Sequence, residues 1–278
     1  MSSQSKRRLG QIGLDRLVRL EWLEQTAKLV MAGNGAGDVK SALKEELQPA
    51  FRTYGERVRG SLDKTVTILM KIWVRPPRDL HPLQQDGLQL LSRLPREEHI
   101  AVHWGMAMAA YPFWGNVAAY VGRLLRLQGA AAASQVQRRV REQYGERETV
   151  SRRVRYVLRS FVDWQVLKET PKKGIYTSGL SLAIAHVEVI AWLAEAFLHA
   201  HPNGSAAVRT VLDATSLFPF HLSPICADHL VAVSGRLDAL RHALDQDLIM
   251  LRTPVCRHAT MASRQGLSAA KGGDFAGQ

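Results

Sequence analysis

Few residues in this chain have the type and spacing for chemistry. His99 and His103 stand four apart on one side of an expected helix, a spacing that can hold zinc, yet no Glu follows His99 in metalloprotease fashion and no third ligand lies nearby in sequence. Cys226-x-x-His229 and Cys256-x-His258 offer four ligand types at a spacing that fits no standard finger. Gly33-Asn34-Gly35-Ala36-Gly37 follows a helical pattern rather than a strand and lacks the Gly-Lys-Ser/Thr of a phosphate loop, so it reads as a helix–helix connection. Asp213, Asp228, Asp238, Asp245 and Asp247 are scattered along amphipathic segments, and no Ser-His-Asp or Cys-His motif accompanies them. The expectation is a non-enzymatic protein without metal or cofactor.

The arginines, by contrast, are concentrated. Between Ser134 and Gly179 there are eleven Lys and Arg against five Asp and Glu, so half of the net charge of +12 sits in a sixth of the 278 residues. Within that stretch a helix is expected over Thr149 to Val162. At 100° per residue, Val150, Val154, Val157, Leu158 and Phe161 fall on one face. Arg152, Arg155, Tyr156 and Arg159 fall opposite, with Arg153 on the flank. Arg138 and Arg139 belong to a preceding helix, Gln135 to Tyr144, for which Ser134 is the expected cap, and Lys172 and Lys173 lie on a tight turn before Gly174. Guanidinium forks match phosphates and guanine edges, and lysines on such a turn position a protein on the phosphate backbone without reading sequence. These nine residues are the expected contacts to double-stranded DNA. An arginine-rich solvated helix, or a module turned to protein contacts, is the competing reading.

The elements that must position these residues are mostly helical. Leu14, Leu17, Val18, Leu20, Leu23, Ala27 and Val30 make an apolar helical stripe up to Gly33. Asp38 is the expected cap of a helix to Leu47, and Leu62, Val66, Leu69 and Trp73 continue the pattern until Pro76-Pro77. The order of helix (Phe113 to Leu127), helix, tight turn, helix, and two short strands around Pro171-Lys172-Lys173-Gly174 is that of a winged helix–turn–helix module. Four regions are expected: a helical, winged-helix-like unit over 1–95, helices plus the winged module over 96–180, a C-terminal helical lobe over 181–252 carrying Leu230, Val233, Leu237, Leu240 and Leu244, and a disordered tail over 253–278, where large apolar side chains are nearly absent. No period of 20–50 residues repeats.

Composition narrows the setting. An apolar fraction of 46% and a charged fraction of 22% are globular values, and a pI near 10.1 asks for a polyanionic partner. Two cysteines exclude a disulfide scaffold and fit a reducing cytoplasm. Trp104 to Gly122 is uncharged and just long enough to span a bilayer, but Pro112, Asn116, Gly105 and Gly115 make it two buried helices broken at Tyr111-Pro112. Leu180 to Ala200, interrupted by Glu188, Glu195, His186 and His199, reads as a core helix.

The layout resembles the BrxA family, winged-helix DNA-binding proteins of BREX phage-defence systems. The resemblance runs over Leu17 to Trp73, with Asp38-Val39-Lys40-x-x-Leu43 and Lys64-x-x-x-Ile68-Leu69, then Glu98-His99-Ile100-Ala101-Val102-His103-Trp104 and Tyr111, and the unit holding Arg152, Arg153 and Val157-Leu158. It covers about the first 180 residues and is one of order and spacing; residues 181–250 have no counterpart in it. It implies a DNA-binding accessory subunit of a defence complex with other protein partners. A transcription regulator that dimerises through 181–250 is a further alternative.

Overall fold

A computed structural model describes residues 8–51, 56–241 and 247–252, the side chains of 56–59 excepted. The chain is mostly α-helical. Helices α1 (Leu20–Met31), α2 (Ala36–Leu47), α3 (Glu56–Leu69) and α4 (His81–Arg93) precede the most buried element, α5 (His99–Ala110). Every residue of α5 from Ile100 to Ala110 is buried, because Ile-Ala-Val-His-Trp-Gly-Met-Ala-Met-Ala-Ala has no polar face to give to solvent. It is wrapped by α1, α4, α6 (Pro112–Gln128) and α9 (Val187–Ala200), and by the wide turn Met70–Val74 that continues α3. Pro112 opens α6 where its missing N–H costs nothing, and Gly129, at φ 71°, closes it in a left-handed cap. The uncharged stretch is thus two core helices, and no helix among the described residues is long and apolar enough to cross a membrane.

Residues 112–178 run helix, strand, helix, helix, strand, strand. After α6 come β1 (Ala130–Ala132), α7 (Ala133–Tyr144), α8 (Glu148–Asp163), β2 (Leu167–Glu169) and β3 (Ile175–Ser178). The antiparallel sheet has the order β1-β3-β2, with Ala131 opposite Tyr176 and Lys168 opposite Thr177. The same order then recurs. Helix α9 is followed by β5 (Ser205–Ala207), α10 (Val208–Leu212), α11 (Ala227–Val233), β7 (Leu237–Arg241) and β8 (Asp247–Leu251), and the sheet order is β5-β8-β7, again antiparallel. The two leading helices begin 75 residues apart, at 112 and 187. The second copy differs by an insertion between α10 and α11 whose strand β6 (Phe220–Leu222) pairs in parallel with β4 (Leu182–Ile184).

Five expectations are corrected. The stretch from Leu180 to Ala200 is helical only from Val187, because Leu182–Ile184 pair as β4 with β6. The C-terminal lobe is not all-helical: Leu237 and Leu240 lie in β7, beyond the exposed Gly235 that follows α11. Helix α1 begins only at Leu20. Residues 9–19 form a strap in which Leu14 has φ 63°, so Leu14 and Val18 are buried without being helical. Ser134 lies inside α7, whose cap position is Ala132 at the end of β1. Asp38 lies in the first turn of α2, where its charge meets the positive helix end, and Gly35 occupies the cap. The glycine-rich segment is the α1–α2 connection. The expected tail over 253–278, with Cys256 and His258, and also Leu244 and Asp245, lie outside the described residues.

The repeats meet over an aromatic cluster. The Trp104 ring lies 4.8 Å from Phe161, 5.3 Å from Trp114 and 5.5 Å from Phe218, and its indole N–H donates to the Ser216 carbonyl at 3.0 Å. Such pairs add about 0.5–1.5 kcal/mol each beyond the area they bury. One glycine makes the fit: a Cβ on Gly122 would stand 2.1 Å from the Thr215 carbonyl oxygen, so only glycine lets α6 reach the Thr215–Leu217 turn.

Candidate nucleic-acid interface

Helix α8 is strongly amphipathic. Val150, Val154, Val157, Leu158 and Phe161 are all buried, and Arg152, Arg155 and Arg159 are exposed. Packing of the valine face against α7 and α6 dictates which way the arginines point. Arg155 pairs with Glu148 at 2.7 Å across the first turns of its own helix. On α7, Arg138 and Arg139 are exposed and share Glu142, at 3.9 and 3.1 Å. Exposed pairs of this kind are worth about 0–1 kcal/mol and yield easily to a phosphate. Arg152, Arg159, Lys168, Lys172 and Lys173 are exposed and have no ion-pair partner among the described residues.

Strands β2 and β3 hold the two lysines on a turn shaped by backbone bonds. Gly174 adopts φ 78°, the Ile175 N–H donates to the Lys172 carbonyl at 3.1 Å, and the Ala133 N–H donates to the Gly174 carbonyl at 2.8 Å. The last contact ties the turn to the start of α7. The lysine side chains do none of this work, so they are free for other contacts. Tyr176 is half-buried behind the turn, and burial raises its phenol above the ordinary value.

The nine sequence-derived residues do not share one environment. Arg153 and Tyr156 face the N-terminal strap: the Arg153 guanidinium donates to the Ile12 carbonyl, and Arg16 lies 6.0 Å from the Tyr156 ring centre. The same flank of α8 continues with Ser160, whose hydroxyl accepts the Val18 N–H at 2.9 Å, and Asp163, which faces Arg19 at 3.6 Å. Burial raises the Asp163 carboxyl above its usual range, with Arg19 acting against it. Residues 153, 156, 160 and 163 thus form a stripe at helical spacing that binds the strap, while 152, 155 and 159 face outward. Sequence reasoning missed the strap and its basic contribution, Arg16 and Arg19. The only trace of it in the sequence is the pair of hydroxyl and carboxyl side chains on the flank of an otherwise arginine-rich helix.

The corresponding parts of the second repeat carry different chemistry. Helix α11 exposes Asp228, His229, Ala232 and Val233 and has no Lys or Arg. Its edge strand β7 exposes Ala239, Leu240 and Arg241, and Arg241 faces Asp228 at 3.6 Å. Two copies of one arrangement therefore present a cationic helix and an acidic, apolar one.

The histidine pair finds a partner that its spacing could not show. Glu24 on α1 lies 2.8 Å from His103 Nε2 and 3.1 Å from His99 Nδ1. His103 Nδ1 accepts the Trp73 indole N–H at 3.0 Å. With that nitrogen serving as acceptor, the ring is neutral and Nε2–H donates to the Glu24 carboxylate. Burial drives the imidazole pKa down, which agrees with this tautomer. The His103 bond, helped by His99, lowers the Glu24 pKa to about 2 against the opposing pull of burial. The arrangement joins α1, α5 and the Met70–Val74 turn as a buried clasp. No group of three or more metal-ligating side chains suited to an ion occurs among the described residues. Comparison with protein-family models, with curated proteins and with solved structures finds no match to this chain.

Proposed function

We propose that residues 112–178 act as a winged helix–turn–helix and that the protein binds double-stranded DNA without catalysing a reaction. The observation that carries this reading is the outer face of α8: Arg152, Arg155 and Arg159 are exposed opposite a fully buried valine face, beside a hairpin whose turn presents Lys172 and Lys173. A helix of 16 residues with one face so packed can enter a major groove with its arginines leading. The lysine turn then lies over the adjacent phosphates. Arg138 and Arg139 on α7 flank the same groove, and Arg153 and Tyr156 hold the strap that steadies α8. The family resemblance supplies the setting, an accessory subunit of a bacterial phage-defence complex with other protein partners.

An electrophoretic shift of a random duplex at two salt concentrations tests the reading. If six phosphates are contacted, log K against log salt falls with a slope of about −5, from roughly −0.9 per phosphate. A flat response, or no shift at low salt, contradicts it.

A further inference from the structure

We infer that two copies of the chain join edge to edge through β7, which pairs antiparallel with itself about a two-fold axis at Leu240 and makes one six-stranded sheet of two three-stranded ones. This inference stands apart from the DNA reading and uses none of its residues. Strand β7 ends the sheet β5-β8-β7 and is bonded on one side only. The Arg252 N–H donates to the Arg236 carbonyl at 2.8 Å, a pair that extends the β7–β8 register by one step. Opposite residues of an antiparallel ladder alternate between bonded and unbonded pairs. Asp238 and Leu240 therefore turn their backbone groups to β8, and Ala239 and Arg241 turn theirs outward. The far side of β8 agrees: the Leu251 N–H donates to the Gly204 carbonyl at 2.9 Å, so the odd-numbered residues of β8 serve β5. An open edge of this kind is a template for another strand. The matching edge of the first repeat, β2, is only three residues long and exposes Lys168 and Glu169, which protects it.

The side chains select the register. Leu237 and Ile249 turn one face of the sheet into the core, and on the other face Ala207, Leu248 and Leu240 lie opposite one another across the three strands. Ala207 and Leu248 are half-buried, and Leu240 at the edge is 52% exposed, so this apolar row runs out into solvent. An axis at Leu240 continues the row into Leu240 of the second copy, in an unbonded pair, where side chains come closest. The backbone groups of Ala239 and Arg241 in the two copies then exchange four hydrogen bonds. An axis at Asp238 would set two carboxylates opposite each other, one at Ala239 would set Asp238 against Leu240, and one at Arg241 would oppose two guanidinium groups. The charges along the edge are already matched within the chain, Asp238 by Arg252 at 2.7 Å and Arg241 by Asp228 at 3.6 Å. Net charge points to the same place. Residues 181–252 hold four Lys and Arg against seven Asp and Glu, a net −3 in a chain of +12. Two copies repel through the rest of the molecule and can approach through this lobe.

The test is sedimentation equilibrium of the full-length protein, freed of nucleic acid, over a range of concentrations. The expected result is a reversible dimer, twice the mass of one chain, that dissociates on dilution because so short an edge buries less than a permanent interface. Leu240→Asp and Leu240→Lys each set like charges opposite each other across the axis, and each should weaken dimerisation at least tenfold. An equimolar mixture of these two variants should dimerise again, a rescue available only to a residue that faces its own copy. Ala239→Pro removes an outward N–H and no bond to β8, so an edge strand tolerates it; it should also weaken dimerisation, and it serves where the charged variants fail to fold. A parent that is monomeric throughout, a dimer untouched by any of these variants in folded form, or a mixture of the charged variants that stays monomeric overturns the assignment.

Discussion

The same substitution, Gly→Ala, should have opposite signs at two helical positions. In the middle of a helix, alanine is favoured over glycine by about 0.5–1 kcal/mol, because glycine loses more backbone entropy on folding. At Gly60 in α3 a Cβ would meet nothing within 4 Å, so Gly60→Ala should gain that amount. At Gly122 in α6 the added Cβ would stand 2.1 Å from the Thr215 carbonyl oxygen and 2.8 Å from the Phe218 Cβ. Ordinary contact begins at 3.4 Å, so the helix and the turn must part by about 1.3 Å. Backbone cannot swing aside as a side chain does, and the displaced turn also carries the Ser216 carbonyl that accepts from Trp104. Overpacking of this kind costs about 1–3 kcal/mol, and with backbone as the obstacle the upper figure applies. Set against the propensity gain, Gly122→Ala should lose about 2 kcal/mol net, or about 4–8 °C in Tm. Thermal unfolding followed by circular dichroism would show Gly60→Ala melting above the parent and Gly122→Ala below it. A Gly122→Ala variant at least as stable as the parent would refute the close approach of α6 to the Thr215 turn.

Two further predictions concern buried charge. Glu24, held at about 2 against an ordinary 4.5, contributes stability that is present above pH 4.5 and is lost as pH falls toward 2. Glu24→Gln should flatten that part of the melting temperature's acid dependence, and an unchanged slope from pH 5 to 3 would remove the clasp from the account. Arg236 binds the buried Glu195 at 2.7 and 3.0 Å and also reaches Asp86, so that α4, α9 and the chain before β7 share one charge network. Arg236→Met leaves Glu195 with His199 alone and should cost about 3 kcal/mol in urea unfolding, part of which Glu195→Gln in the same chain restores.

What could be read from the sequence is what depends on local periodicity. The two faces of α8 follow from 3.6 residues per turn, and every valine placed inward is buried. The break at Tyr111-Pro112 follows from proline's missing donor. The strap is hidden in the sequence because Leu14, Leu17, Val18 and Leu20 have helical spacing, yet Val18 is held by Ser160 and Trp164, over 140 residues away. The strands of the C-terminal lobe are hidden for a related reason. Leu237 and Leu240 also have helical spacing, and their state is decided by pairing with Leu251 and Leu248. The recurring order of elements leaves no sequence period because the matching elements differ in residues and in length: α8 has 16 residues and five arginine or tyrosine side chains, α11 has seven and none. Glu24, 75 positions from His99, was beyond any spacing argument.

The central claim is that α8 meets DNA through its outer face. Replacing Arg152, Arg155 and Arg159 together with Glu removes three contacts worth about 1–3 kcal/mol each and adds repulsion. None of the three is buried, so the fold should persist with Tm moved by only a few degrees; Val154→Asp, which puts a carboxylate at a fully buried site, serves as the unfolding control. The decisive measurement is the fluorescence anisotropy of a labelled duplex titrated with the parent and with the triple variant at one salt concentration. The predicted result is a loss of affinity far beyond tenfold in a folded protein, and a triple variant that binds DNA like the parent would contradict it.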